Sequence, residues 1–75
     1  MTIDEFIRDI APKMRPGWVA MDRDKTWYWF RNKPKLNRDL EMWLASKRTG
    51  GVLLECFNIA PVDDWTQSLR EIKHD

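Results

Sequence analysis

The run Trp27-Tyr28-Trp29-Phe30 sets four large aromatic side chains side by side. In a β-strand, successive side chains leave on opposite faces of the sheet. Such a strand sends rings to both faces, so both must be covered or one must be left for a partner. Residues 18–21 read as its hairpin mate, and the polar stretch Asp22-Arg23-Asp24-Lys25 as the connection. With Arg23 and Asp24 at the tip, Met21 faces Thr26, Ala20 faces Trp27, Val19 faces Tyr28 and Trp18 faces Trp29. One face then holds Trp18, Ala20, Trp27 and Trp29, and the other holds Val19, Met21, Tyr28 and Phe30. A one-residue change in the loop would flip this register.

Upstream, residues 3–11 read as a short helix. Thr2 and Glu5 fit a capping box. Ile3, Phe6, Ile7 and Ile10 follow at i, i+3, i+4 and i+7, which makes one apolar stripe. Pro12 disfavours helix at Ala11 and ends the element. Residues 15–17 and 32–35 read as turns. Leu36, Leu40, Trp43 and Leu44 have helical spacing, but the same stretch also alternates with period two, so residues 36–48 are open between helix and strand. Residues 46–51 are a hairpin loop in the strand reading. Residues 52–57 read as an apolar strand containing Cys56. Asp63 then looks like the cap of a last helix, with Trp65, Leu69 and Ile72 at i, i+4 and i+7. Residues 73–75 are expected to fray.

Seventy-five residues without an internal linker make one domain, 1–75. A chain of this size buries about 60% of the surface it exposes when unfolded. Five Trp and three Phe therefore matter, since each buried ring removes roughly 150–250 Å² from water. The net charge of +1 hides a polarity along the chain. Residues 13–48 hold ten Lys or Arg against Asp22, Asp24, Asp39 and Glu41, whereas the residues on either side are acidic overall. This suits either ends that fold back over the middle or a basic surface for an acidic partner.

Catalytic signals are poor. The one histidine, His74, is the penultimate residue. Cys56, the one cysteine, sits in an apolar run and is expected to be a small buried hydrophobe. Asp22 and Asp24 lack the Gly and the distant Glu of a calcium loop, and no Cys/His cluster suits zinc. No cofactor and no metal is expected. The N-terminal stretch resembles neither a signal peptide nor a membrane span, so a cytoplasmic protein without membrane contact is expected.

The stretch GWVAMDRDKTWYWFRNKP, a lone Trp43 and then DDWTQSL resemble small phage and prophage proteins of unknown function. Those share the pattern W-V-A-x-D-x-D-G-x-x-x-x-F-x-x-K-P … W … W-x-x-S-L. The resemblance spans residues 17–69, and Lys25 stands where the pattern often has Gly. It implies a bacterial or phage origin. It also favours a strand at 40–46, because Trp43 stands between two strands in that pattern.

The expected fold is α+β: an N-terminal helix, an antiparallel meander of three or four strands, and a short C-terminal helix. If both helices cover one face of the sheet, the other face is bare. The expected function is a non-enzymatic protein-interaction module. It docks an aromatic face centred on Trp18, Trp27 and Trp29, with Arg23, Lys25 and Arg31 around it, onto a protein partner or a second copy. The second reading uses the same residues to stack and hold single-stranded nucleic acid. Against both stands an ordinary core, its other face half covered by Arg and Lys stems; an enzyme is a distant third.

Overall fold

The computed structural model describes residues 1–45 and 50–73. Residues 46–49 of the loop expected at 46–51, and the terminal His74 and Asp75, lie outside the described residues; Gly51 of that loop begins a strand. The chain is α+β, with one α-helix and two antiparallel sheets among the described residues. Helix α1 spans Ile3–Asp9, and its capping box is formed: Thr2 Oγ1 accepts from the Glu5 N–H at 3.1 Å, and Glu5 Oε1 accepts from the Thr2 N–H at 3.0 Å. A 3-10 turn at Ala11–Lys13 follows.

Strands β1 (Gly17–Met21) and β2 (Trp27–Phe30) form the expected hairpin, in the other register. Trp18 faces Phe30, Val19 faces Trp29, Ala20 faces Tyr28 and Met21 faces Trp27. The cause is the loop. The Lys25 N–H donates to the Asp22 carbonyl at 3.0 Å, the Asp22 N–H donates to the Thr26 carbonyl at 3.0 Å, and Lys25 takes a left-handed φ of 71°. A tight turn followed by a left-handed residue makes a loop one residue longer than a tip of Arg23 and Asp24. The side chains of β1 therefore exchange faces relative to those of β2. Val19, Met21, Trp27 and Trp29 lie on one side, and Trp18, Ala20, Tyr28 and Phe30 on the other.

Strands β3 (Lys35–Asn37) and β4 (Met42–Leu44) make a separate two-stranded hairpin. The strand reading of the ambiguous segment thus holds at its centre. Strand β5 (Gly51–Leu53) pairs with β2, and strand β6 (Arg70–Ile72) with β1, giving the order β5-β2-β1-β6. This is not a meander, because the last strand returns to pair with the first. The expected C-terminal helix is only a 3-10 turn at Trp65–Gln67, where Asp64 Oδ1 accepts from the Thr66 N–H at 3.0 Å. The expected strand at 52–57 is likewise shorter. After Leu53 the chain enters a 3-10 turn at Glu55–Phe57, and that turn leaves Cys56 exposed instead of buried.

Both faces of the four-stranded sheet carry cover. Ile3 and Phe6 of α1, with Ala11, Leu54 and Ile59, pack on Val19, Met21, Trp27 and Ile72. On the opposite face, Trp43 of β4 packs on Ala20 and Phe30, with Leu36, Ala45 and Leu69 beside them. The β3–β4 hairpin, not a helix, supplies the second layer. It is fixed by polar groups. Asp22 Oδ1 accepts from the Trp43 N–H at 2.8 Å, the Trp43 indole donates to the Trp65 carbonyl at 3.2 Å, and Arg23 pairs with Glu41. Ser68, fully buried, accepts from the Met21 N–H at 2.8 Å and ties the C-terminal segment to β1.

Candidate functional site: a groove beside Trp29

The two covers are unequal at their margins. On the α1 side, Trp29 is half-buried where β2 meets β5. Gly17 makes room for its ring: a Cβ there would lie 2.6 Å from the Trp29 indole nitrogen and 2.6 Å from the Phe30 carbonyl oxygen. That indole N–H is buried and meets no acceptor among the described residues. The outer part of Trp29, with Met14, Arg15, Val52 and Leu54, lines an open groove of about 300 Å³. A second hollow of about 220 Å³, lined by Arg15, Pro16, Trp29 and Arg31, adjoins it. The floor is apolar and the rim carries two guanidinium groups. The described ion pairs are Arg8 with Asp9, Arg23 with Glu41 and Lys73 with Glu71, so neither Arg15 nor Arg31 has a carboxylate partner among the described residues.

Strand β5 forms one wall of the groove and is also the edge of the sheet. The Leu54 N–H donates to the Trp27 carbonyl at 3.0 Å. In an antiparallel ladder, inward- and outward-pointing residues alternate. The Val52 main chain therefore points at β2, and the N–H and C=O groups of Gly51 and Leu53 point away from the sheet. Val52 is 53% exposed on the groove side, and Leu53 is 47% exposed on the other face beside Tyr28.

Of the six residues singled out in the sequence, the structure brings only Trp29 and Arg31 together. Trp27 is in the core, where its indole donates to the Ala60 carbonyl at 3.3 Å. Trp18 lies on the opposite face, half-buried under the Lys33 ammonium, which sits 5.5 Å from its ring centre. Arg23 is engaged with Glu41, and Lys25 forms the hairpin bend. The three-indole face does not exist, because the register moves Trp18 away from Trp27 and Trp29. Sequence reasoning missed Met14, Val52 and Leu54. The available signal was Gly-Gly followed by uncharged Val52, Leu53 and Leu54, which leaves a strand without the charges that usually blunt an edge.

Two larger hollows lie near the hairpin tip. One, of about 410 Å³, includes Lys25, Glu55 and Asn58; the other, of about 480 Å³, includes Asp22, Arg23, Asp24 and Glu41. Burial pushes the Asp22 carboxyl above the ordinary aspartate value, the Trp43 N–H opposes this, and Asp24 adds to it. Burial likewise raises Tyr28, with Asp22 and Asp24 contributing. No group of three His, Cys, Asp or Glu side chains able to hold a metal occurs among the described residues. No described helix is long and apolar enough to cross a membrane. Comparison with known proteins returns no match: no protein-family model, no curated protein and no solved structure is similar to the chain.

Proposed function

We propose that this chain is a non-enzymatic protein-interaction module, of phage or prophage origin and cytoplasmic, that docks a partner in the Trp29 groove. The observation that carries this reading is the pairing of an apolar floor with Arg15 and Arg31 on its rim. Tryptophan and arginine concentrate binding energy at protein interfaces. Rim charges set orientation and association rate more than affinity. The partner surface accordingly offers an apolar side chain for the groove and a carboxylate for the rim.

Selection of random nonapeptides on the immobilised full chain and on its Trp29→Ala variant tests this. Peptides that bind the parent chain and lose at least about tenfold in affinity on the variant are expected. Failure to enrich any peptide sinks the proposal. So does a set of binders indifferent to Trp29. A single-stranded nucleic acid seated in the same groove would instead show affinity falling steeply with added salt, as condensed counterions are released.

A further inference from the structure

From the open β5 edge and the charges beside it we infer that the partner of this groove is an extended segment that adds to the sheet as a fifth strand, antiparallel to β5. The inference rests on the interaction reading above and specifies its occupant. Three observations carry it. The outward main-chain groups of Gly51 and Leu53 make no hydrogen bond among the described residues. Gly51, Val52 and Leu53 are all exposed, and none carries a charge or a proline to repel an incoming strand. The guanidiniums of Arg15 and Arg31, without a carboxylate partner among the described residues, stand at one end of this edge.

The geometry fixes a motif. Arg31 follows Phe30, which faces Gly51, so both guanidiniums lie toward the Gly51 end of β5. A side chain of the added strand that lies beside Val52, on its face of the sheet, enters the apolar groove. The next side chain on that face is two residues along. In an antiparallel strand, the residue nearer the Gly51 end comes later in sequence. The occupant therefore reads apolar, any residue, then Asp or Glu. A parallel strand would reverse the order; antiparallel is chosen because every pairing in this sheet is antiparallel and such ladders are the more stable per residue. A second copy pairing edge to edge is a poorer occupant. A three-residue strand with two exposed apolar side chains buries far less than the roughly 1,200 Å² of a stable pair.

The experiment uses the nonapeptides selected above, resynthesised with a fluorophore and titrated into the full chain by anisotropy. The selected set is expected to carry the apolar-x-acidic order. Methylating the peptide nitrogens on the side facing β5 is expected to weaken binding at least about tenfold, the loss of two main-chain hydrogen bonds. Leu53→Pro is expected to do the same, because it removes an outward N–H that β2 does not use, and edge strands tolerate proline at such positions. Near-UV circular dichroism and a melting curve establish that this variant folds; if it does not, the methylated peptides on the parent chain decide alone. Binders that depend on Trp29 but ignore both backbone changes overturn the strand reading and leave the groove as an interaction site. Binders with the reversed order, or without an acidic residue, also overturn it. So does a parent chain that dimerises in sedimentation runs and loses that association with Leu53→Pro, since a second copy would then hold the edge.

Discussion

Strand β6 and strand β5 close the same sheet at its two edges, and they are built on opposite plans. Along β6, Arg70 and Glu71 bring charge, the Lys73 ammonium approaches the Glu71 carboxylate at 3.4 Å, and the buried Ser68 just upstream locks the segment to β1. Along β5, Gly51, Val52 and Leu53 carry no charge, and Leu54 is the next buried anchor. Charged residues on an edge discourage pairing with other chains. The difference teaches where the fold is guarded and where it is left available. The guarded edge is tied to the core through Ser68, and the proposed recognition uses the bare one.

The contrast can be broken most directly at Ser68. Ser68→Ala leaves the Met21 N–H buried without its acceptor, at a cost of about 1–3 kcal/mol. In a domain of this size the melting temperature falls roughly 4–8 °C per kcal/mol. A variant that melts with the parent chain would show that the β6 side is not the guarded one.

A smaller change is expected where the two sheets meet. Asp22 holds its proton more tightly in the folded chain than in the unfolded one. Its contribution to stability is therefore fully present below the ordinary aspartate value and is lost as pH rises through the raised folded value. Asn at this position keeps an acceptor for the Trp43 N–H and removes the titration. Melting curves of Asp22→Asn and the parent across about pH 3 to 7 are expected to diverge in favour of the variant as pH rises. Glu5, Asp9 and Asp64 act in the other sense. Hydrogen bonds from Thr2, Arg8 and Thr66 respectively lower them, and their contributions are lost as pH falls. They are common to both chains and cancel in the difference.

Lys25→Gly is expected to stabilise by up to about 1 kcal/mol, since glycine takes the left-handed φ of 71° without the steric cost of a Cβ. No change in denaturation midpoint would mean that the bend is not strained. The smallest effect on folding belongs to the bare edge. Val52→Lys is expected to shift stability by no more than about 0.5 kcal/mol, as exposed substitutions do, while weakening the selected peptides. A large loss of stability there would place β5 with β6 and erase the contrast.

The N-terminal helix could be read from the sequence because its signals are local: a capping box and a stripe of Ile3, Phe6, Ile7 and Ile10. The hairpin was equally plain, but its register was not. That depended on Lys25 adopting a conformation that glycine favours, and nothing in the residue itself announces it. The C-terminal strand was hidden by coincidence. Trp65, Leu69 and Ile72 have helical spacing, yet Trp65 sits in a 3-10 turn, Leu69 packs beneath the Trp43 layer and Ile72 packs beneath α1. Leu69 lies just before β6 and Ile72 at its end, and they pack on opposite faces of the sheet, which a helical reading cannot anticipate. The site was half visible for the same reason. Trp29 and Arg31 stood out by residue type, whereas Val52 and Leu54 join them through the pairing of β5 with β2, and Met14 through the 3-10 turn that follows α1.

The Trp43 amide, which donates to a single carboxylate across the junction between the sheets, has a dynamic consequence. Detaching the small hairpin as a unit would release this proton to solvent while the amides of β1 and β2 stay protected. Its deuterium exchange rate, set against theirs, measures the free energy of that partial opening separately from global unfolding.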